Sequence, residues 1–332
     1  MRFPSPLRKG DRIDFAAPSF GVTTEPYATR FEASLRHFEK LGYELNVFPN
    51  VYKNEGIAGS ASPEERGKEI NEAFASPSKA VISVGGGETM IEILPFVDFD
   101  LIARLEPKFF MGYSDNTNLT FLLPTLCDTV SIYGPHAGSF YAYPFRYAEK
   151  DALRMLQGEK DFFGYPKYSI SKNDPEHPLW RYRLTQEKII HAYNYDGPFE
   201  GTFLGGCLDC LVSLCGTRFD KVKGFQKKHP KGIVWFLESC DLNAIAIRRA
   251  LFQLKEAGWF DNAKGFLIGR PLHSEFCFDV GPEECVLDLL SPLGLPILYN
   301  VDLGHIPPAM PILSGAEGKV SLEEGNLHIQ YK

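Results

Sequence analysis

The chain has 332 residues, 44% of them hydrophobic and 23% charged, and its net charge at neutral pH is −7. This length exceeds that of a single hydrophobic core, and an acidic chain without a basic stripe does not favour a nucleic-acid partner. The sequence contains no signal-peptide core and no apolar run that could span a bilayer, and its seven cysteines are unevenly spaced. We therefore expect a two-domain cytoplasmic protein without a membrane partner.

The first half of the chain alternates strand patterns with helical patterns. Strands are predicted in RIDFAAPS, YELNVFP, KAVISV and KFFMGYS, and helices in RFEASLRHFEKLG, SPEERGKEINEAFAS, ETMIEILPFV and DNTNLTFLLPTL. Gly42 would close the first helix, and Ser62 would cap the second. This alternation predicts an α/β domain over residues 1–150, with a parallel sheet that binds ligands beyond the C-terminal ends of its strands.

The three glycines Gly85, Gly86 and Gly87 directly follow the third predicted strand. As a phosphate loop the run fails, because Met90 stands where a third glycine is required and no Gly-Lys-Ser/Thr follows. Glycine also permits the close backbone approach that an oxyanion hole needs, so Gly86 or Gly87 could offer a backbone N–H there.

Ser114 stands where the fourth predicted strand passes directly into a helical segment. It could be an ordinary helix N-cap, since a serine hydroxyl accepts a hydrogen bond from the first turn. It could instead be a nucleophile on a sharp strand-to-helix turn, with the N–H of Asp115 directed into the same space as its Oγ. The local sequence leaves both interpretations open.

Between residues 151 and 198 the regular pattern gives way to a segment rich in Pro, Lys, Asp and aromatic residues. We interpret this segment as a linker that lines a cleft rather than as part of a sheet core. Trp180 could form a wall of that cleft or stack on a ligand, although a tryptophan in a linker more often packs locally.

A second domain is predicted over residues 199–332, of mixed α/β and partly barrel-like architecture. Its patterns are the strands GIVWFLES, KGFLIGRP and LPILYNV, the helix NAIAIRRALFQLKEAGWF, and a terminal hairpin that turns at 324–326. Cys207 and Cys210 form a C-x-x-C, but they fall on the buried stripe of a predicted helix, and no second pair stands at ligand spacing. We therefore expect cysteines in a core and no metal.

Two residues of the second domain are candidate partners for Ser114. Glu238 ends an apolar strand that should be buried on both faces, and His305 follows another strand in a loop fixed by Gly and Pro. The order Ser, Glu, His is that of α/β-hydrolase triads, in which the histidine takes the serine proton and the acid orients the imidazole. Alone, each has an ordinary structural interpretation, and His136, in another Gly-Pro loop, is a rival base.

Taken together, these motifs resemble the murein LD-carboxypeptidase family of serine peptidases, which also holds the microcin C self-immunity peptidases. The resemblance covers nearly the full length and is carried by LRKGDRIDFAAPS, AVISVGGGETMIEILPFVDFDLI, PKFFMGYSDNTNL, IYGP, GTFLGGCLDCL, GIVWFLES, KGFLIGRP and LPILYNVDLGHIPPAMPI. It implies a Ser-Glu-His triad at Ser114, Glu238 and His305, with the serine in the N-terminal domain and the other two residues in the C-terminal domain. It also implies no metal or organic cofactor, and a homodimer.

The same resemblance suggests further substrate-binding residues. By analogy Pro18 and Ser19 would line the cleft, and Glu275 stands where the microcin branch places an acid that meets the α-amino group of its substrate. Gly85 and Gly87 would contribute to the same cleft.

Two departures from the family pattern bear on the substrate. Val84-Gly85-Gly86 replaces the Arg-Gly-Gly of murein-recycling members, as in the microcin branch. Cys207 replaces the asparagine of the family Gly-Gly-Asn, which removes a polar side chain near the domain junction.

The implied activity is that of a serine carboxypeptidase, which releases D-alanine from a murein tetrapeptide by cleaving an L,D-peptide bond. An alternative is a peptidase or amidase that acts on aminoacyl- or peptidyl-nucleotide conjugates. A third possibility, from a different class, is a binding protein that keeps the cleft without turnover, and the intact Ser, Glu and His argue against it.

Overall fold

The computed structural model of the protein describes residues 1–170 and 176–332. Its strands are β1 (Arg12–Ala16), β2 (Glu44–Val47), β3 (Ala80–Ser83), β4 (Phe109–Gly112), β5 (Ser131–Tyr133), β6 (Asp161–Phe163), β7 (Lys167–Tyr168), β8 (Gln186–Glu187), β9 (His191–Tyr193), β10 (Phe199–Cys207), β11 (Ile233–Glu238), β12 (Ala263–Gly269), β13 (Ile297–Val301), β14 (Ile312–Ser314), β15 (Glu317–Glu323) and β16 (Asn326–Tyr331). Its α-helices are α1 (Tyr27–Lys40), α2 (Pro63–Ala75), α3 (Phe99–Arg104), α4 (Thr117–Thr120), α5 (Leu122–Cys127), α6 (Tyr147–Leu156), α7 (Leu208–Leu214), α8 (Val222–Lys228), α9 (Ala244–Glu256) and α10 (Pro282–Leu290). Within these described residues, no helix is long and apolar enough to cross a membrane.

The chain divides into two compact units. The first consists of residues 1–159, the described part of 171–183, and 311–313. The second consists of residues 160–170, 184–310 and 314–332. The segment 151–198, interpreted from the sequence as a linker, therefore contributes to both units.

The first unit is built on a six-stranded sheet with the order β14-β5-β4-β3-β1-β2. Strands β1 to β5 pair in parallel, which confirms the α/β prediction. The order of the strands reverses between β1 and β3. The loops after these two strands therefore lie at the switch point where open α/β sheets bind ligands.

Local sequence signals fix the helix ends of this unit as predicted. The Ser62 hydroxyl accepts from the N–H of Glu65 at 3.3 Å, and the Glu65 carboxylate accepts from the N–H of Ser62 at 3.1 Å, which forms a capping box at α2. Gly42 follows α1 with φ of +88°, a left-handed conformation that glycine adopts without strain.

Two predicted helices of this unit are shorter or tighter than expected. The glycine loop leads into a 3₁₀ helix, Met90–Phe96, that has a proline inside it. The segment after β4 begins as a 3₁₀ turn, Ser114–Asn116, and continues as α4 and α5. Both positions lie next to sharp loops, where the backbone geometry departs from the regular α-helix.

The second unit contains an eight-stranded sheet with the order β6-β16-β15-β10-β11-β12-β13-β9. Strands β10 to β13 are parallel, and the strands on either side of them are antiparallel, so the mixed α/β prediction is confirmed. The described order of this sheet begins at β6 and ends at β9, and its partly barrel-like form stays a prediction. Both of these strands have three residues and come from the irregular segment, where alternation is too short to predict a strand.

The parallel strands of this sheet end at one edge of the second unit. Cys207 and Glu238 are paired at the ends of β10 and β11, and Gly269 and Val301 are paired at the ends of β12 and β13. Cys207 is thus the last residue of a strand, which corrects the prediction that it belongs to a helix, because α7 begins one residue later at Leu208.

Candidate active site

Ser114 begins the 3₁₀ turn after β4, and the cap of that turn is Tyr113. The backbone of Ser114 has φ of +62°, in the left-handed region. An N-cap residue ordinarily has an extended backbone, and a non-glycine residue with positive φ is uncommon and tends to occur at functional sites. The geometry therefore favours a sharp strand-to-helix turn over an ordinary helix cap.

The carboxylate of Asp115 fixes this turn to two neighbouring loops. Its Oδ2 accepts from the hydroxyl of Ser19 at 2.5 Å and from the backbone N–H of Met90 at 2.9 Å. Asp115 is buried, and burial raises the pKa of its carboxyl group against the opposing effect of these hydrogen bonds. The turn that carries Ser114 is thereby attached to the loops after β1 and β3.

Pro18 and Ser19, expected from the resemblance to line a cleft, are buried in the structure. Ser19 is fully buried against Asp115, and the backbone oxygen of Pro18 accepts from the guanidinium of Arg66 at 3.1 Å. The structure therefore places both residues as supports of the loop after β1.

Two further contacts of the turn were not anticipated from the sequence. The N–H of Ser114 donates to the hydroxyl of Tyr133 at 3.1 Å, and the side-chain amide of Asn116 donates to the carbonyl of Gly85 at 2.8 Å. Tyr133 lies in the IYGP stretch, which was noted only as part of the resemblance. Its place at the end of the strand next to β4 was the available signal.

His136, the rival base, lies beside the same turn. Its Nε2 is 3.0 Å from the carbonyl oxygen of Tyr113, and the two rings stack with their centroids 4.2 Å apart. These contacts hold His136 against the residue before Ser114, and its part as a rival base remains a prediction.

The glycine run after β3 brings backbone close to Ser114. A Cβ atom on Gly86 would lie 3.1 Å from both Cβ and Oγ of Ser114, and 3.3 Å from Cε1 of His136. Gly87 has φ of +157°, and a Cβ there would come within 2.1 Å of the Ser19 hydroxyl. Glycine is therefore required at Gly87 and leaves room beside the serine at Gly86, while the oxyanion role of the Asp115 and Gly86 amides remains a prediction.

In the second unit, His305 Nδ1 lies 2.9 Å from Oε2 of Glu238. Glu238 is 2% exposed at the end of β11, and the side chain of His305 is 13% exposed. The backbone of Gly304, the residue before His305, packs against the same carboxylate. Its φ is +96°, and a Cβ at this position would lie 2.5 Å from Oε2 of Glu238. A glycine is needed for this approach, which explains the Gly-His pair of the motif.

The carboxylate sets the protonation chemistry of the histidine. Burial lowers the pKa of His305, but the charge of Glu238 and contacts with Glu238 and Cys240 outweigh it and hold this pKa well above the usual value for histidine. An imidazole whose Nδ1–H donates to a buried carboxylate presents Nε2 for proton transfer. The pair has the chemistry of a general base and its orienting acid.

Glu275 and Trp180 have other surroundings. The side chain of Glu275 is 78% exposed between β12 and α10, and it lies 3.7 Å from His273. Trp180 is 57% exposed, and its ring stacks on His177 with centroids 3.7 Å apart. A substrate-binding role for either residue remains a prediction.

Asp302, two residues before Gly304, belongs to a buried ionic cluster that the sequence did not lead us to predict. Asp302 contacts Lys188 at 2.5 Å and Arg270 at 2.8 Å, and each of the three side chains is at most 5% exposed. Asp302 opens the Asp-x-Gly-His motif, so the motif itself was the signal that could have identified it.

Comparison with known proteins identifies the family. Residues 13–134 match the model described as the LD-carboxypeptidase N-terminal domain, and residues 200–320 match the LD-carboxypeptidase C-terminal domain. The fold and these matches define a hydrolase of the peptidase class. The chain belongs to the LD-carboxypeptidase family, which confirms the resemblance found in the sequence.

Relatives of two kinds span almost the whole chain. A Bacillus subtilis protein named "Probable murein peptide carboxypeptidase" is 27% identical, covering 97% of this chain and 92% of its own. The microcin C7 self-immunity protein MccF of Escherichia coli is 24% identical, covering 98% of this chain and 94% of its own. A solved structure of MccF in complex with aspartyl sulfamoyl adenosine has a TM-score of 0.83 and 22% identity, covering 99% of this chain and 98% of that chain, so the fold is shared.

Proposed function

We propose that the protein is a serine carboxypeptidase that hydrolyses the terminal L,D-peptide bond of murein tetrapeptide-type substrates and releases D-alanine. Ser114 is the nucleophile, His305 the general base and Glu238 the residue that orients His305. The observation that carries the proposal is the left-handed backbone of Ser114 at the end of β4, because a strained turn of this kind projects a hydroxyl outward.

In the proposed reaction, Ser114 Oγ attacks the carbonyl carbon of the terminal peptide bond while its proton passes to Nε2 of His305. Amides of Asp115 and Gly86 stabilise the oxyanion of the tetrahedral intermediate. The C–N bond then breaks, and the imidazolium gives its proton to the amine of the departing D-alanine. Water, deprotonated by the same imidazole, then attacks the acyl-enzyme ester. As the bond between the acyl carbon and Oγ breaks, the imidazolium returns its proton to Oγ, which frees the shortened peptide and restores the serine.

The proposed roles are divided between the two units of the chain. Ser114 belongs to the first unit, whereas Glu238 and His305 belong to the second. Each group stands at the carboxyl end of a parallel strand or in the loop that follows one, where α/β proteins build their sites. A reaction that uses all three groups therefore needs both units.

A second candidate function is hydrolysis of aminoacyl- or peptidyl-nucleotide conjugates. Two observations favour it: the fold is shared with an MccF structure that holds aspartyl sulfamoyl adenosine, and Val84 stands where murein-recycling members carry arginine. The catalytic groups would be the same, and only the group released would differ.

We further propose that the enzyme acts in the cytoplasm as a homodimer. The seven cysteines are odd in number and unevenly spread along the chain, which fits a reducing compartment better than a disulfide framework. The homodimer follows from the resemblance to the family and is tested by sedimentation of the purified chain.

Mass spectrometry of two separate incubations tests the substrate assignment. The purified chain is mixed with a murein tetrapeptide in one, and with aspartyl sulfamoyl adenosine in the other. Loss of the terminal D-alanine from the tetrapeptide is the expected result. Cleavage of the nucleotide conjugate alone would select the second function, and intact substrates in both incubations would contradict both.

A further inference from the structure

We propose that Asp302 is a positioning residue for His305, and that its ionic cluster with Lys188 and Arg270 fixes the base of the loop that carries the histidine. This inference rests on the proposed role of His305 as general base. Loss of the cluster should change the distance between His305 and Glu238 without removing a group that touches the substrate.

The carboxylate of Asp302 is fully buried and accepts hydrogen bonds from three directions. Its Oδ2 accepts from the ammonium of Lys188 at 2.5 Å and from the N–H of Tyr165 at 2.7 Å, and its Oδ1 accepts from the guanidinium of Arg270 at 2.8 Å. A buried carboxylate is tolerated when it is paired in this way, and removal of one partner leaves an uncompensated charge. The position of Asp302 is therefore strongly specified.

The main chain of Asp302 closes the loop that contains His305. Its carbonyl oxygen accepts from the N–H of Met310 at 2.7 Å, so both ends of the stretch 302–310 meet at this residue. Within the loop, the carbonyl of Pro307 accepts from the N–H of Ser169 at 2.8 Å. The carboxylate and the carbonyl of one residue thus fix the base of the loop.

Gly304 links the base of the loop to the proposed catalytic pair, His305 and Glu238. Its backbone packs so closely on Glu238 that a Cβ would lie 2.5 Å from the carboxylate. A small displacement of the loop base would therefore change the 2.9 Å contact between His305 and Glu238. Misplacement of a catalytic group by about 1 Å can reduce the rate on the order of a hundredfold.

Lys188 connects this loop to the irregular segment. Its ammonium also donates to Oδ1 of Asn326 at 2.7 Å, and burial lowers the pKa of Lys188 although Asp302 opposes that effect. The lysine therefore contributes a buried cation to the loop base, from a segment interpreted in the sequence as a linker.

Gly164 offers a way to disturb the cluster without changing its charge. A Cβ on Gly164 would lie 2.7 Å from Oδ1 of Asn326, 2.9 Å from Nζ of Lys188 and 3.0 Å from Oδ2 of Asp302. Gly164→Ala should therefore displace these groups. Gly224→Ala in α8 is the matched control, because a Cβ at Gly224 meets nothing within 4 Å.

The test compares wild type, Gly164→Ala and Gly224→Ala by two measurements. An NMR titration of the His305 ring proton, assigned by its loss in His305→Ala, gives the pKa of that histidine without need of activity. Steady-state kinetics on the cleaved substrate separate kcat from KM. In Gly164→Ala we expect the pKa to fall toward about 6.5 and kcat to fall roughly 10- to 100-fold with KM little changed.

Lys188→Gln replaces Gly164→Ala if the latter does not fold. Loss of a nearby positive charge alone would raise the pKa of His305, whereas loss of positioning lowers it. The inference is overturned if folded Gly164→Ala, or folded Lys188→Gln, has the same His305 pKa and the same kcat as the Gly224→Ala control. Failure of the proposed function can be told apart from failure of this inference. If the proposed function is wrong, Ser114→Ala stays fully active, and the titration of His305 still decides the role of Asp302.

Discussion

Nδ1 of His305 lies 2.9 Å from Oε2 of Glu238, and the glutamate is almost completely buried. A carboxylate in this position holds the imidazole in one tautomer and stabilises its protonated form. The two residues are separated by 67 positions in the chain but meet at the edge where the parallel strands of the second unit end.

Glu238→Gln should lower the pKa of His305. In the wild type, burial lowers this pKa, and the charge and hydrogen bond of Glu238, together with Cys240, outweigh the burial. The variant loses the charge of Glu238, while the effect of burial remains. Because the neutral imidazole is the base, the acid limb of the kcat/KM profile should lie above pH 6.5 in the wild type and move to lower pH in the variant. We also expect kcat to fall by about two to four powers of ten.

The same pair affects stability in a defined direction. A folded-state pKa above the unfolded value of about 6.5 means that the stabilising contribution is fully present below that pH and is lost as the pH rises through the folded-state pKa. Denaturant unfolding across this range should show the decline in wild type but not in Glu238→Gln. If the acid limb of the kcat/KM profile stays at the same pH in Glu238→Gln, the raised pKa of His305 does not come from this glutamate.

His305→Ala should be far more damaging than His136→Ala. We expect a loss of several powers of ten in kcat for the first variant and less than about tenfold for the second, since His136 contacts the backbone and ring of Tyr113. The double variant Ser114→Ala with His305→Ala should be no slower than either single variant, because the effects of residues that act as one catalytic unit are not additive. Steady-state rates that ranked the two histidines in the reverse order would move the base to His136.

Gly86→Ala should reduce kcat while the protein stays folded. The added Cβ would lie 3.1 Å from Ser114 Oγ and would crowd the space beside the nucleophile. Gly224→Ala is the control, because a Cβ at Gly224 meets nothing within 4 Å. Rates and thermal melting are measured for both variants, and equal rates would show that the reaction does not use the space between Gly86 and Ser114.

Much of the fold could be predicted because its signals are local. The capping box at Ser62 and the left-handed Gly42 mark helix ends within a few residues, and alternating patterns define the parallel sheet of the first unit. Strands β6 and β9 could not be predicted, since each has three residues and gains its stability from pairing with a strand distant in the sequence.

The site was only partly visible for the same reason. Ser114, Glu238 and His305 could be selected as candidates because each stands at the end of an apolar strand or in the loop after one, and each bears a chemically reactive group. The roles of Ser19 and Asp302 depend on contacts over 96 and 114 positions of the chain, and sequence spacing does not encode these contacts. For Ser19 the resemblance suggested a place in a cleft, whereas the structure buries its side chain against Asp115.

Turnover by Ser114→Ala tests the central claim most directly. The variant deletes one oxygen from a half-buried side chain, so its thermal melting should match that of the wild type. With the substrate cleaved by the wild-type chain, we expect kcat to fall by several powers of ten, as when a triad serine is lost. A folded Ser114→Ala that keeps more than roughly a tenth of the wild-type rate would show that Ser114 is not the nucleophile.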